Sequence, residues 1–506
     1  MNRGRHFIVS LLGALSGCAV GPNYHAPDTQ APVAFAAPDA RPTSTAATSA
    51  PDLASWWQSL NDPELDSLVG RAVSANPDVL IALTRLQQAQ TYETVVLGHA
   101  LPTVDASGGA GRGTGSDLTR GRAAQALVSA DNTAGLQHVN TIGGFDALWE
   151  LDLFGRVRRE IEAAHYDTQA VAAARNGVLI AVIADVAHAY VDLRGFQTEL
   201  SILQKASAAL AESLRIVGIR YERGITNELD VTLATRELAA LNAQIAPVQA
   251  QIRAAQYTLA TLVGQYPESL SDELEAPALI PTLPEPAPAG TPLEVLRRRP
   301  DVQQAERTLA SSTAQVGIAT GNLFPRVALV GAVGAQRQDW GSAPTIGKHI
   351  WSFGPGVVWP LLDFGALDAQ VEIADLSARA ALLDYRRTLI DAVRDVDTAV
   401  VNFRAAQARL EELGAGIVAA ERAVTLATER YNRGLTQYLD VVDAERQLYE
   451  LESLYVAAQV SSAEQFVSLY RNLGGGWQNY QQTPSVRTPE PAVIAALRHL
   501  VGAGSP

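Results

Sequence analysis

The stretch "RYERGITNELDV" at residues 220–231 returns as "RYNRGLTQYLDV" at residues 430–441, with eight of its twelve letters identical. The two stretches lie 210 positions apart, and the same spacing pairs Trp149 with Trp359. A solenoid would repeat about every 20–50 residues. A period this long predicts instead that the chain holds two copies of one large structural unit.

The duplication extends further along the chain and divides it into segments. "NPDV" at 76–79 matches "RPDV" at 299–302 at an offset of 223, which predicts a longer loop in the first copy between Gly111 and Trp149. A proline-rich stretch joins the copies and is expected to form an extended strap on the surface. We predict six segments: a signal peptide at 1–17, a lipidated N-terminal arm at 18–60, the first copy at 61–264, the strap at 265–292, the second copy at 293–475 and a tail at 476–506.

The first eighteen residues, "MNRGRHFIVSLLGALSGC", have the order of a lipoprotein signal: a basic start, a short apolar run, and small residues before Cys18. Cys18 is the chain's single cysteine, so it cannot form an internal disulfide. An ordinary signal peptide followed by a chance cysteine is the alternative. We predict that Cys18 carries the lipid. Ala19, rather than Asp, follows it, which is similar to lipoproteins sorted to the outer membrane, and the Ala- and Pro-rich residues after it predict a tether or a loosely wrapped arm.

Charge and composition exclude some classes of protein. The formal net charge is −14, which argues against nucleic acid as a partner. Charged residues make up only 18% of the chain, which suits long packed helices. No apolar run approaches the length of about 18 residues without polar interruption, so we expect no transmembrane helix.

Two long helices are predicted from the absence of proline and from a heptad-like apolar stripe. Residues 156–222 and 366–432 both have these features, and each could form a helix of roughly 100 Å. Each stretch ends at the repeated motif, and a second helix follows at about 228–264 and at 437–473. The repeated motif is therefore predicted to be the tip of a helical hairpin, at residues 223–227 and again at 433–437.

Local residue chemistry explains how such a tip turns. Gly224 and Gly434 can adopt the left-handed conformation that closes a helix. Thr226 and Thr436 follow two residues later and are predicted to cap the next helix.

Ahead of each long helix lie two segments with period-two alternation, predicted as strands at about 103–116, 142–153, 326–338 and 349–363. The alternating glycines in the first segment favour a strand over a phosphate loop, because no helix start or lysine follows them as a P-loop requires. Strands of this length can cross a bilayer at a tilt, but four cannot close a barrel and an open edge cannot sit in lipid. Three chains would supply twelve strands and close it. Tryptophans near the strands are predicted to form an aromatic girdle, with simple packing as the alternative: Trp149, Trp340, Trp351 and Trp359.

Several motifs together resemble one family. They are "RRPDVQQAE" at 298–306, "FP" before a strand at 324–325, "WWQSLNDPEL" at 56–65 and both hairpin tips. Over roughly residues 18–475 the chain resembles the TolC-type outer-membrane efflux proteins, in the lipoprotein branch that serves tripartite drug pumps. The resemblance implies a mainly α fold with a membrane β-barrel: a homotrimer of duplicated protomers whose β-barrel continues into an α-helical barrel across the periplasm, with the strap and chain ends forming a belt.

The same resemblance implies a passive exit duct that docks on a periplasmic adaptor and an inner-membrane pump and exports small molecules. No catalytic set or metal-ligand spacing stands out, so we expect neither an enzyme nor a bound cofactor. Two alternatives remain open. One is a duct for type I protein secretion, against which the lipobox and "RRPDV" count. The other is a non-channel coiled-coil lipoprotein of the periplasm, against which the strand segments count.

The resemblance also implies roles for residues at the second hairpin. Asp440 and Asp443 match the acidic pair that lines the closed periplasmic end of the duct, and their spacing of three puts them on one helix face. Rings of carboxylates at a constriction favour cations. The alternative is that these acids only stabilise the positive end of their helix. The first copy keeps Asp230 but has Leu233 at the second position, so one hairpin per chain would line the gate.

The hairpins themselves are expected to be held closed by a latch. Tyr431 matches a family tyrosine with this role, and Asp230 matches its acidic partner. Thr436 stands where the prototype has an arginine, which departs from the family pattern. The tip residues are candidate contacts for the adaptor: Arg223, Gly224, Arg433 and Gly434.

Overall fold

The computed structural model of this chain describes residues 19–29, 31–36, 52–113, 138–284, 291–339 and 346–480. The predicted signal peptide, Cys18, Trp340 and most of the predicted tail lie outside the described residues.

The two copies contain the same six elements in the same order, which confirms the duplicated protomer. Each copy has two shorter helices, two strands, a helix of 67 residues and a helix of 35 residues. The second of the shorter helices has 22 residues in both copies. The first copy comprises α1 Pro63–Ala75, α2 Pro77–Gly98, β1 Thr103–Gly113, β2 His138–Leu151, α3 Arg156–Glu222 and α4 Glu228–Leu262. The second comprises α5 Pro292–Arg298, α6 Pro300–Gly321, β3 Arg326–Asp339, β4 Ile346–Val358, α7 Ala366–Asn432 and α8 Tyr438–Asn472.

Proline and glycine set where the helices begin. Proline stands in the first turn of α1, α2, α5 and α6, where a missing N–H breaks no helical hydrogen bond. Before the long helices α3 and α7, Gly155 and Gly365 adopt φ values of 82° and 85°, which turn the chain sharply from strand to helix.

The four strands form one antiparallel sheet in the order β1–β2–β3–β4. The pairing of β2 with β3 joins the two copies, with Gly144 opposite Gly334. β1 and β4 therefore each have one edge without a partner strand among the described residues.

Two strand boundaries differ from the sequence prediction by four residues or more. β4 ends at Val358 rather than at residue 363, because Pro360 lacks the N–H that a continuing ladder needs. β2 begins at His138, earlier than residue 142. The predicted end of β1, at 114–116, lies outside the described residues.

The main hydrophobic core lies where the N-terminal segment meets the helices of both copies. The Trp56 indole stacks on the Tyr470 ring with centroids 5.5 Å apart, and Phe466 packs between Tyr470 and Phe403 at 4.7 and 6.0 Å. The core thereby ties the chain before α1 to α7 and α8.

The N-terminal arm lies along the helices where it is described, which is the wrapped arrangement rather than a free tether. Phe35 is buried in a cluster with Val295 and Val396. The Tyr24 hydroxyl donates to the Glu306 carboxylate on α6 at 3.0 Å.

Among the described helices, α3 alone is long and apolar enough to cross a membrane by length and composition. Its apolar window is 56% buried by other parts of the protein. Packing against α1, α2, α4, α6 and α8 accounts for that composition.

Candidate functional site

The two hairpin tips have the same backbone geometry. Gly224 and Gly434 adopt φ values of 67° and 72°, as predicted from their place after the long helices. The next residue in each tip, Ile225 or Leu435, donates its N–H back to Arg220 or Arg430 five positions earlier, at 2.9 Å in both copies. These bonds satisfy carbonyls at the helix end and complete the turn.

The predicted capping by the two threonines is wrong. α4 is capped by Asn227, whose side chain accepts from the Asp230 N–H at 3.1 Å. Thr226 instead donates its hydroxyl to the Asp230 carboxylate. In the second copy Gln437 occupies the N-cap position and makes no side-chain capping bond. The N-cap position is thus occupied by the residue after each threonine, Asn227 or Gln437.

The two hairpins pack on each other just behind their tips. The contact is a cluster of buried side chains from both copies, named here the tip cluster: Val217, Ala234, Tyr431, Tyr438, Val441 and Val442. The rings of Tyr431 and Tyr438 lie 5.4 Å apart, and the Tyr438 hydroxyl bonds with the Ser213 hydroxyl on α3 at 2.8 Å. Movement of one hairpin against the other must disturb this cluster.

Tyr431, predicted as part of a latch, lies at the centre of the tip cluster. Its side chain is buried, and the Arg220 guanidinium of α3 lies over its ring at 4.4 Å from the centroid. Burial raises the pKa of the Tyr431 phenol, and Asp230 adds to that effect while Arg220 opposes it. The Asp230 carboxylate accepts from the Thr226 hydroxyl, and no direct hydrogen bond joins it to the Tyr431 hydroxyl in the described chain. The predicted pair therefore comes close enough to interact electrostatically without a direct bond.

Asp440 and Asp443 lie on one helix but in different electrostatic settings. Asp440 is exposed in the first turn of α8. The Asp443 carboxylate accepts from Arg446 at 2.7 Å and from Gln447 at 2.9 Å. Asp443 therefore presents a compensated charge, whereas Asp440 presents a free-standing one in the described chain.

One acidic residue of functional interest was missed from the sequence. Glu445 lies between the hairpins, and burial, together with the nearby Glu237 carboxylate of α4, raises its pKa to about 7. A signal was present, because Glu445 occupies the apolar stripe formed by Tyr438, Val442 and Tyr449 at helical spacings of three and four. A carboxylate at a position in this apolar stripe lies in the interface between the hairpins, as the apolar side chains of the stripe do.

Both tips expose apolar side chains beside the predicted adaptor-contact residues. Ile225 and Leu229 are 61% and 62% exposed on the first tip, and Leu435 and Leu439 are 64% and 48% exposed on the second. Arg223, Gly224, Arg433 and Gly434 are exposed as well. The duplication thus presents the same apolar and basic surface twice.

The tryptophans near the sheet divide into two kinds. The indole N–H of Trp149 donates to the Ala100 carbonyl at 2.9 Å, and Trp359 donates likewise to Leu323 at 3.1 Å. In each copy this hydrogen bond therefore connects the end of the second strand to the turn that precedes the first strand. Trp351 is 77% exposed on the sheet, which suits the apolar outer surface of a membrane strand.

Within the parts of the chain that the structure describes, no group of three or more His, Cys, Asp and Glu side chains is arranged to hold a metal ion. The polar groups at the tips are spread along helices rather than gathered in a cleft. Their arrangement suits a surface that binds or repels other charges.

A family model described as "Outer membrane efflux protein" matches residues 68–265 and 291–475, one match for each copy. Nodulation protein T of Rhizobium leguminosarum bv. trifolii is 29% identical over 470 residues, covering 92% of this chain and 95% of the relative. The antibiotic efflux pump outer membrane protein ArpC of Pseudomonas putida is 28% identical over 488 residues, covering 94% and 97%. The solved structure of the outer-membrane channel OprN superposes with a TM-score of 0.80 at 33% identity, over 91% of this chain and 100% of that one.

Proposed function

Because the chain belongs to the outer membrane efflux protein family, we propose that three copies of it form the outer-membrane exit duct of a tripartite efflux pump for small molecules. The observation that carries this proposal is the four-stranded sheet with two unpaired edges that leads into helical hairpins. An open edge in lipid leaves backbone groups without partners, so neighbouring copies must pair with it. The closed sheet would cross the outer membrane, and the helices would extend the duct into the periplasm.

The duct is proposed to be passive and to take its energy from an inner-membrane pump through a periplasmic adaptor. The exposed apolar pairs Ile225–Leu229 and Leu435–Leu439 support docking at the tips, because apolar side chains at the end of a hairpin gain from being covered. Arg223 and Arg433 add a positive rim to the same surface. We assign the adaptor contact to these residues together with Gly224 and Gly434, whose φ values shape the turn.

The gate is proposed to lie at the second hairpin. Asp440 and Asp443 would form rings of carboxylate around the axis of the trimer, where they favour cations. Tyr431 and Asp230 would act as the latch. The burial of Tyr431 between the two hairpins supports this role, since the hairpins cannot separate without exposing it.

The lipid anchor is proposed at Cys18, and the outer membrane is the site of the duct. The anchor can be tested directly, because Cys18→Ser should remove the lipid mass from the mature protein. An unchanged mass in the variant would show that another residue carries the lipid.

The experiment that tests the function is deletion of the gene in its own bacterium. Accumulation of a fluorescent dye and sensitivity to antibiotics should rise in the deletion strain and return to normal when the wild-type chain is supplied. Secreted proteins should be unchanged. If the deletion instead removes a secreted protein while dye accumulation stays at the wild-type level, the duct serves type I secretion. If neither changes, the efflux function is wrong.

A further inference from the structure

The start of the N-terminal arm lies in a close-fitting contact at the foot of the sheet. Ala19 packs against Gly155, where an added Cβ would come within 2.6 Å of the Ala19 Cα. The Val20 N–H donates to the Phe154 carbonyl at 3.0 Å. The arm thus passes through a space that depends on the glycine before α3.

The guanidinium of Arg159 binds the same part of the arm. Its side chain is only 4% exposed and is paired with Glu162 at 2.7 Å. The remaining guanidinium N–H groups donate to the Val20 carbonyl at 3.4 Å, to the Gly21 carbonyl at 3.4 Å and to the Asn23 side-chain oxygen at 2.6 Å. A buried arginine that uses three of its donors on one four-residue segment fixes that segment in place.

The opposite wall of this site belongs to the second copy. Gly21 adopts a φ of +87°, and an added Cβ there would lie 2.5 Å from the Gly317 Cα on α6. Gly317 in turn faces Arg159, since its own Cβ would come within 2.8 Å of that side chain. Further along, Tyr24 bonds to Glu306 of α6 and packs edge-on against Tyr166 of α3 at 5.8 Å. The arm therefore bridges the first copy and the second.

The duplication supplies an internal comparison that shows this site to be specific. Ala369 stands at the position of Arg159, and Thr94 stands at the position of Gly317. Phe364, the counterpart of Phe154, is 98% exposed, whereas Phe154 stacks on Phe324 with centroids 4.8 Å apart. The same strand-to-helix turn therefore occurs in both copies, and only the turn of the first copy has the side chains that bind the arm.

We propose that the processed and acylated N-terminus has its own binding site, named here the seat, formed by Phe154, Gly155, Arg159 and Gly317. The seat fixes where the lipid enters the membrane, and the arm bound in it joins the two copies. Cys18 directly precedes Ala19 in the sequence, so the seat holds the residue next to the proposed site of the lipid. β2 ends at Leu151, close to this corner, so the acyl chains would enter the bilayer at the periplasmic end of the sheet. The lipid position rests on the lipidation proposed for Cys18, whereas the seating of residues 19–24 does not.

The seat is tested by hydrogen exchange in the full-length trimer. Arg159→Ala should speed exchange of the Val20 amide by about tenfold or more, because without the guanidinium the segment can leave the Phe154 carbonyl that accepts the Val20 N–H. Gly317→Val should have the same effect by filling the space, without removing any donor. Arg158→Ala is the matched control, since Arg158 lies in the first turn of the same helix but pairs with Asp152. Unchanged exchange in both seat variants would overturn the proposal.

The lipid position is tested separately by photo-crosslinking. A photoreactive phenylalanine analogue at Phe154 should capture the acylated N-terminal peptide, and the same analogue at Phe364 should not. Equal capture from both positions would show that the anchor has no fixed seat. Repeating the hydrogen exchange with Cys18→Ser separates the two ideas: protection of the Val20 amide should persist without lipid. Its loss would mean that the lipid, rather than Arg159, holds the arm.

Discussion

At the scale of single residues, the two acids of the proposed gate are not equivalent. Both lie on the same face of α8, but only Asp443 has a basic partner in the described chain, Arg446. That ion pair is exposed, with about half of each side chain or more open to solvent, so its contribution to stability is small. Its effect on the local field matters more, because it places a positive charge beside the Asp443 carboxylate.

We expect Asp440→Asn to reduce cation preference more than Asp443→Asn does, and Arg446→Gln to increase it. The reason is that Arg446 offsets Asp443 but leaves Asp440 uncompensated. Reversal potentials of the reconstituted channel in a salt gradient measure this preference. Glu450→Gln, on the exposed part of the same helix, serves as the control. A larger effect from Asp443→Asn would show that the pairing with Arg446 does not operate in the assembled gate.

Glu445 predicts a dependence of stability on pH. Its pKa rises from 4.5 to about 7 in the folded protein, because of burial and the Glu237 carboxylate. Since the folded state keeps a proton that the unfolded state releases, this contribution is fully present below about pH 4.5 and is lost as pH rises through about 7. The thermal midpoint of the trimer should therefore fall from about pH 5 to about pH 8, and Glu445→Gln should fall less. If the variant and Glu450→Gln follow the wild-type curve equally, Glu445 is not buried in the assembly.

At the scale of elements, the two long helices have equal lengths but are packed by different neighbours. α3 and α7 both have 67 residues, yet α3 packs along its length against helices from both copies, whereas α7 packs mainly against α5, α6 and α8 of its own copy. Tyr221 and Tyr431 occupy the same place in the repeat, but Tyr221 is 45% exposed and Tyr431 is 7% exposed. The hairpin that carries the proposed latch is thus distinguished by its contacts rather than by its own fold.

The seam between the copies depends on two facing glycines in β2 and β3. An added Cβ at Gly144 would lie 2.6 Å from the Val333 carbonyl oxygen, and one at Gly334 would lie 2.8 Å from the Gly143 oxygen. Gly144→Ala should therefore disturb the β2–β3 ladder and lower the yield of heat-resistant trimer on a gel. Gly354→Ala is the matched control, because its Cβ would meet open space. Equal yields from both variants would show that the sheet adjusts without cost.

At the scale of the whole molecule, two features of the protomer call for neighbouring copies. β1 and β4 each have an unpaired edge in the described sheet. α7 carries exposed apolar side chains at intervals of seven: Leu376, Leu383 and Ile390 are 54%, 63% and 70% exposed. A stripe with this spacing is typical of helices that pack side by side. Both surfaces would be covered if copies associate edge to edge in a ring.

We expect the protein to be a trimer in detergent, and Leu383→Glu with Ile390→Glu to prevent its assembly. Carboxylates placed in a packed apolar contact carry a large desolvation cost. Size-exclusion chromatography with light scattering measures the mass. Leu229→Glu is the control, since it adds a similar charge at an exposed tip position outside the stripe. A wild-type monomer with full strand content would contradict the closed barrel, and a trimer formed by the double variant would place the interface elsewhere.

The sequence alone was sufficient for features that depend on nearby residues. The repeat at 210 positions predicted two hairpins, and the proline-free runs predicted the full extent of α3 and α7. The positive φ of Gly224 and Gly434 followed from their place after a helix. The early end of β4 was also within reach, because Pro360 is visible in the sequence. The capping threonines failed because Asn227 competes for the same helix end one residue later.

Only the tertiary structure decided which polar groups meet. Arg159 binds Val20 across 139 positions, and Glu445 is buried beside Glu237 of another hairpin. Neither contact follows a local pattern, because each depends on how the two copies pack along α3, α4, α6 and α8. A repeat encodes the same backbone twice through short-range spacing and turn chemistry. The burial and charge of each side chain depend on neighbours far away in the sequence, so the copies can share a fold and still differ in the residues of the proposed seat, latch and gate.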